Sequence, residues 1–335
     1  MSHPEKGREI HLRRNPTGLP VEGDFELVVV PVTKPAEGEV LVRTRFFSVD
    51  PYMRGRISAA RGYADPWPPG QAMRGGCVGE VIESRDPALP VGAFVLGGYG
   101  WREYYRARPD ELARIESGET PLSAYLGVLG MPGLTAYVGL LTIGALERGE
   151  SVFVSGAAGA VGSTVCQIAR LHGCRVVGSA GSERKVEWLT DRARVDAFNY
   201  KKTADLTAEL KNRFPDGIDV YFDNVGGAHL EAAIANMNRH GRIVACGMIS
   251  TYNATEPPRG PRNMMRIVGE RLAIRGFIVG DHADQRERFT ERMTAWIKSG
   301  EVVYEETVVD GIENAPSAFI GLFSGENLGK MVVKV

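Results

Sequence analysis

Two rhythms of apolar and polar positions divide the chain. Up to about Ser117 the apolar residues come in short runs that mix β-branched and aromatic side chains, broken by Pro and Gly: FELVVVPV (25–32), GEVLVRTRFFSVD (38–50), GCVGEVIES (76–84) and GAFVLGGYGWREYYRA (92–107). Such runs predict short strands with irregular turns, in a barrel-like or sandwich-like unit. The Pro-rich YADPWPPGQ (63–71) reads as a loop, a connection or a lid over a cleft. From about Pro121 the rhythm changes. Apolar strands, SVFVSG (151–156), CRVVGSA (174–180), AFNY (197–200), IDVYFDNV (218–225), RIVACG (242–247) and LAIRGFIV (272–279), now alternate with helical patterns. That alternation predicts a parallel sheet with crossover helices. Between the first two strands, Val161, Val165, Ile168 and Ala169 keep helical spacing, and Gly173 stands where a helix-ending glycine belongs. QRERFTERMTAWIKSG (285–300) reads as an amphipathic helix, and the tail from Val302 returns to strand, helix and strand. The tail is too short to form a domain, so it completes one already begun.

The junction of the first such strand with its helix is VFVSGAAGAVGS. It reads as a relaxed G-x-G-x-x-G, with Ala157 in the first glycine place and Gly159 and Gly162 in the second and third. Small residues suit the tight turn, Gly159 lets backbone approach a pyrophosphate, and Gly162 lets helix and strand pack closely. The N–H groups and dipole of the helix then face an anion. Strand before and helix after is the context that makes this loose motif a dinucleotide site. An NAD site wants an acid at the end of the second strand for the ribose hydroxyls. Here that end is Ser179, Ala180, Gly181 and Ser182. Ser182 is a candidate N-cap that leaves Glu183 in a helix first turn, followed by Arg184 and Lys185. A strand end without an acid, with basic groups beside it, favours a 2′-phosphate and hence NADP(H).

Composition narrows the class. The 335 residues suffice for two domains, and 40 basic against 41 acidic residues leave no electrostatic reason to expect nucleic acid or a membrane surface. The first residues are polar, and no run approaches the roughly 20 apolar residues of a membrane span. Four scattered cysteines form no disulfide framework, so a reduced, cytoplasmic protein is expected. No Cys-x-x-Cys pair, clustered histidines, Tyr-x-x-x-Lys pair or G-x-S-x-G elbow occurs. What remains is a nicotinamide cofactor without an evident metal, nucleophile or strong acid. Reducing an activated C=C bond asks least of such a site, because a few hydroxyl donors can hold the enolate oxygen.

SVDPYMR (48–54), GMPGLTAYVGLL (130–141), SGAAGAVGS, GCRVVGSAGSERK, FNYK, YFDNVGG, GRIVACGMISTYN, GFIV and NLGKMVVKV occur in order along nearly the whole chain. In these segments the chain resembles the zinc-independent medium-chain dehydrogenase/reductases, specifically the prostaglandin reductase and alkenal/enone double-bond reductase group. The resemblance implies an α/β protein: a GroES-like β-rich catalytic domain from both chain ends (1–124 and 300–335), with a doubly wound Rossmann domain (125–299) between them. It implies that Gly159, Ala160, Val161 and Gly162 hold the pyrophosphate, and that Lys185 and Tyr200 hold the 2′-phosphate and adenosine end. Asn224, Cys246, Gly247, Ile249, Ser250 and Tyr252 would wrap the cofactor. Met131, Thr135, Phe277, Ile278, Val279 and Asn327 would line its nicotinamide end, and Tyr52 would face a small α,β-unsaturated carbonyl substrate. The group often carries a tyrosine where this chain has Gly269, which leaves Tyr52, Tyr252 or water to supply the proton. The expected activity is NADPH-dependent reduction of enones and alkenals. The alternatives are quinone reduction and, given Gly269, cofactor binding without turnover. A homodimer through the edge of the Rossmann sheet is also expected. The choice of substrate would lie with segments 58–76 and 255–270.

Overall fold

The computed structural model describes residues 3–59, 62–116, 118 and 120–335. It divides into two compact units, residues 1–126 with 306–335, and residues 127–305. Ala60 and Arg61, in the segment expected to shape substrate choice, lie outside the described residues.

The first unit opens with β1 (Lys6–Leu12) and β2 (Phe25–Pro31), which pair antiparallel in unbroken register from Lys6↔Pro31 to Leu12↔Phe25. The polar character of the first residues hid β1 from the sequence, since Ile10 and Leu12 are its buried apolar side chains. Then follow β3 (Val40–Ser48), α1 (Met53–Arg56), β4 (Cys77–Ser84), β5 (Phe94–Gly97), β6 (Tyr104–Ala107) and β7 (Ala113–Ile115). The Pro-rich loop after α1 is anchored by Trp67, which is buried, receives Arg56 over its ring at 4.9 Å and donates its backbone N–H to Arg56 O.

The second unit runs α2 (Met131–Val138), β8 (Ser151–Val154), α3 (Ala160–Leu171), β9 (Arg175–Ala180), α4 (Glu183–Asp191), β10 (Asp196–Asn199), α5 (Leu206–Arg213), β11 (Ile218–Asp223), α6 (Gly227–Asn236), β12 (Met237–Ala245), α7 (Met265–Glu270), β13 (Ala273–Gly276) and α8 (Arg286–Lys298). The chain then returns to the first unit as β14 (Glu306–Asp310), α9 (Ala315–Ser324) and β15 (Lys330–Lys334).

That return is structural. β15 pairs antiparallel with β3 through Val332↔Ser48, and β14 pairs parallel with β15, in a sheet ordered β14-β15-β3-β4-β5-β7 with β6 also on β3. Trp101 stacks 5.9 Å from both Phe25 and Phe47, and Phe319 of α9 meets Phe25 and Trp101 edge-on at 6.1 and 5.9 Å. Trp101, Phe47 and Phe319 are among the largest fully buried side chains, so the tail that supplies Phe319 is part of the core of this unit.

In the second unit the sheet order is β10-β9-β8-β11-β12-β13, all parallel. Numbered by order of appearance within the unit, that is 3-2-1-4-5-6, a doubly wound sheet whose order reverses between β8 and β11. Val152, Phe153, Val154, Val220, Tyr221 and Phe222 are fully buried. Helices cover both faces of a parallel sheet, so its central strands read as unbroken apolar runs. Gly173, at a φ of +74°, follows α3 as its C-terminal glycine.

Candidate active site

The carboxyl ends of β8 and β11 flank the reversal point, and there the predicted glycine turn is found. Gly156, at a φ of +59°, makes the sharp turn. The position that needs glycine for its dihedral is therefore one residue before Ala157, where the motif reading had placed it. Ala157 instead packs its methyl on β9, where a Cβ added to Gly178 would lie 2.6 Å away. Gly159 is the N-cap of α3. A Cβ on Gly162 would lie 2.4 Å from Gly156 O and 2.8 Å from Ala157 Cα, so only glycine allows the helix to start this close to the turn. A Cβ on Gly159 would meet only Gly156 O, at 3.4 Å. The N–H groups of Ala160, Val161 and Gly162, in the first turn of α3, have no acceptor within the helix.

Across the reversal point, Asn224 Nδ2 donates to Ser155 O at 2.8 Å, and Asn224 N donates to Ser155 Oγ at 3.1 Å. Tyr221 Oη lies 2.9 Å from Ser155 Oγ and donates to Asp223 Oδ1 at 2.6 Å. Asp223 Oδ1 also accepts the N–H groups of Val225 and Gly226 at 3.0 and 2.8 Å. Burial drives the Asp223 carboxyl up, and these hydrogen bonds oppose the rise. The loop after β12 folds onto this point. Cys246 N and Gly247 N both donate to Asp223 O at 3.0 Å, Ile249 N to Asn224 O at 3.3 Å, and Ser250 N to Val225 O at 3.2 Å. Tyr252 Oη accepts from Met248 N at 3.4 Å and sits above Gly247. The Cys246 thiol is pushed up to about 12 by burial and by the charge of Asp223. Asn224, Cys246, Gly247, Ile249, Ser250 and Tyr252 thus gather beside the Gly156–Gly162 turn, where a Cβ added to Gly156 would lie 3.4 Å from Asn224 Cβ.

At the end of β9, Glu183 faces away. It accepts from Asn199 Nδ2 at 2.8 Å and pairs with Lys202 at 2.9 Å, contacts that hold its carboxyl low. Ser182 is the N-cap of α4 by position, with no side-chain capping bond. On the other side, a Cβ on Gly181 would lie 3.3 Å from both Lys201 Cε and Tyr200 Oη. Lys185 is half-buried; burial first, then the charges of Lys201 and Arg184, hold its ammonium below the usual lysine range. Lys201 and Tyr200 thus stand against a strand end without an acid, with the Lys185 charge near that of Lys201, a setting that suits an anion. Lys201 was missed in the sequence, although it directly follows Tyr200. His229 of α6 meets Tyr200 edge-on at 4.8 Å and stacks on Phe153 at 6.5 Å.

Met131 and Thr135 lie on α2, which packs on α3; Thr135 Oγ1 donates to Met131 O at 2.8 Å. Phe277, Ile278 and Val279 follow β13, and the Phe277 ring reaches the end of α2 at Gly139. Tyr52 and Asn327 belong to the first unit. Burial, and secondarily the charge of Asp50, pushes the Tyr52 phenol well above its ordinary value. Gly269 is exposed on α7, with open space where its side chain would be. Among the described residues, no group of three or more His, Cys, Asp or Glu side chains is placed to hold a metal ion.

Comparison with known proteins agrees with this layout. Residues 8–115 match the family described as N-terminal domain of oxidoreductase, and residues 160–299 match the one described as zinc-binding dehydrogenase. The chain is 45% identical to 2-alkenal reductase (NADP(+)-dependent) of Nicotiana tabacum, over 100% of this chain and 99% of that protein. It is 43% identical to prostaglandin reductase 1 of Bos taurus, over 96% and 97%. The solved structure of CurA from Vibrio vulnificus in complex with NADPH superposes with a TM-score of 0.93 at 42% identity, covering 98% of this chain and 99% of that one. With relatives this similar along its whole length, and with the dinucleotide fold in place, the chain belongs to the medium-chain dehydrogenase/reductases, in the zinc-independent group of the prostaglandin and alkenal/enone double-bond reductases.

Proposed function

We propose that this protein reduces the C=C bond of α,β-unsaturated ketones and aldehydes with NADPH. The observation that carries the reading is the end of β9, where Lys201 and Tyr200 stand against Gly181, the Lys185 charge lies near that of Lys201, and Glu183 is engaged by Asn199 and Lys202. That set suits a 2′-phosphate and offers no acid for a free ribose hydroxyl pair. One relative is named for NADP(+) and alkenal reduction, another for prostaglandin reduction.

Each part of the site has a physical task. The first-turn N–H groups of α3 and its dipole face the pyrophosphate, and Gly162 keeps them within reach. Lys185, Lys201 and Tyr200 take the 2′-phosphate. Asn224 and the 246–252 loop, cross-braced through Asp223, hold the body of the dinucleotide. Met131, Thr135 and Phe277–Val279 line the nicotinamide end. NADPH, when bound, supplies the hydride that adds to the β-carbon of the enone. Negative charge then gathers on the carbonyl oxygen, where a neutral hydroxyl donor stabilises it. Tyr52 is suited to that task because its raised pKa keeps the O–H in place at neutral and mildly basic pH. Tyr252 is a second candidate for proton delivery to the α-carbon.

The test is a panel of enones and enals incubated with protein and NADPH. The expected outcome is NADPH consumption with formation of the saturated carbonyl. Formation of the allylic alcohol, or no turnover of any member, refutes the reading. We further propose a cytoplasmic homodimer. All four cysteines are unpaired. Among the described residues, no helix is long and apolar enough to cross a membrane. β13 is an edge strand, and Met264, Met265, Val268, Ile274 and Ile278 expose apolar surface on or beside it. An open edge of this kind invites pairing. Light scattering that returns the mass of one chain would contradict the dimer.

A further inference from the structure

Resting on the reading of Tyr52 as the donor to the enolate oxygen, we propose that Lys330, acting through Asp50, is a positioning residue for Tyr52. The two lie 280 residues apart in sequence, 4% and 6% exposed, and are joined by an ion pair of 3.1 Å. Lys330 Nζ also donates to Val49 O at 2.9 Å and to Met331 O at 2.6 Å. On the other side of Asp50, Ser48 Oγ donates to its second carboxylate oxygen. Ser48 is itself held at both backbone groups: its N–H donates to Gly76 O at 2.8 Å, and its carbonyl accepts Trp101 Nε1 at 3.2 Å. The segment Ser48–Asp50, which leads directly into Tyr52, is thus pinned by a buried lysine from the other end of the chain.

Tyr52 itself has no such pin. Its hydroxyl has no hydrogen-bond partner among the described residues. A Cβ on Gly75 would lie 3.8 Å from that hydroxyl and 2.5 Å from Met53 Cε, so the ring stands against bare backbone. A donor that must keep its O–H free for substrate cannot be aimed by a hydrogen bond of its own. Its aim is set by the backbone beneath it, and that backbone is held by Asp50 and Lys330. Burying an ion pair brings no stability that a well-packed apolar pair would lack, and here it brings fixed geometry. Asn327, three residues before Lys330 and tied by its Nδ2 to Gly329 O at 2.8 Å, leads into the same anchor.

The experiment places Lys330→Met, Lys330→Arg and the charge-free pair Asp50→Asn with Lys330→Met in wild-type and Tyr52→Phe backgrounds. The pair leaves no lone buried charge and serves if Lys330→Met alone does not fold. Single-turnover NADPH oxidation is followed with 3-nonen-2-one, together with NADPH affinity. The expected result is a loss of rate on the order of 100-fold for Lys330→Met, the scale of a small misplacement of a reacting group. NADPH affinity should stay within about twofold, since no charge facing the cofactor is removed, and Lys330→Arg should recover part of the rate. In the Tyr52→Phe background the same changes should cost less than about threefold more, because the residue they aim is gone. Full multiplicative losses in that background, a wild-type rate for Lys330→Met, or a wild-type rate for Tyr52→Phe each overturn the proposal. If the wild-type protein reduces no enone, the functional reading falls separately. Positioning is then decided by the fluorine resonance of Tyr52 in 3-fluorotyrosine-labelled protein, assigned by its absence in Tyr52→Phe. The resonance should shift and broaden in Lys330→Met, and an unchanged resonance overturns the proposal.

Discussion

Lys185 offers the sharpest test of how this chain chooses its cofactor. Its ammonium is half-buried at the end of β9, beside Lys201 and Arg184. Replacing it with Met keeps the apolar stem and removes one charge. Toward NADPH the loss is one charge-assisted bond to the 2′-phosphate, worth about 1.5–3 kcal/mol, or roughly 10- to 150-fold in affinity. Toward NADH nothing is lost, because that cofactor has no phosphate to meet the charge. Relief of repulsion from Lys201 and Arg184 favours the variant slightly. The exposed Lys201 is more screened, and Lys201→Met should cost under about 1 kcal/mol. Titration calorimetry with both cofactors at two ionic strengths separates the terms. NADPH affinity of the wild type should fall with added salt, and that slope should flatten in Lys185→Met. Equal losses for NADPH and NADH would place Lys185 elsewhere on the dinucleotide, and no loss for either would remove it from the site.

Other consequences follow from the same geometry. Gly162→Ala forces a methyl to within 2.4 Å of Gly156 O, so it should lower stability by about 1–3 kcal/mol in chemical denaturation and weaken NADPH binding as well. Gly159→Ala meets only an ordinary contact at 3.4 Å, so its loss should show mainly in NADPH affinity, with little change in stability. His229 is buried with Nε2 unpaired, and burial pulls its pKa to about 4. The unfolded chain takes up a proton below about 6.5 that the native state refuses. Stability should therefore fall by about 3 kcal/mol as pH drops from 6.5 toward 4, and His229→Phe should flatten that slope in urea titrations run across the range. Arg271 ends α7 at a φ of +53°, so Arg271→Gly should raise the melting temperature slightly, by the equivalent of about 0.5–1 kcal/mol, and a fall would show that its bond to Gly269 O matters more.

Much of the second unit was legible because its signals are local. Ser151–Val154, Arg175–Ala180 and Ile218–Asp223 are apolar runs since both faces of the sheet are covered, and Val161, Val165 and Ile168 mark one face of α3. β1 was not legible, because Lys6–Leu12 is a largely polar strand whose apolar face rests on two residues. The turn glycine was misplaced by one residue, because spacing cannot tell which of Gly156 and Ala157 takes the positive φ, and Ala157 is tolerated through Gly178 on the next strand. Lys201 escaped because one basic residue in a run looks like another until the fold sets it against Gly181.

The sequence by itself determined the two textures, the crossover of strand into helix at Gly159, and the absence of an acid at the end of the second strand of the parallel sheet. These depend on periodicity and on neighbours a few residues apart, which any local window contains. Only the tertiary structure decided the strand order that sets Asn224 beside Gly156, the turning of Glu183 toward Lys202, and the pairing of Asp50 with Lys330. Those are contacts between distant segments, selected by how sheets close and cores fill, and no spacing along one chain carries them.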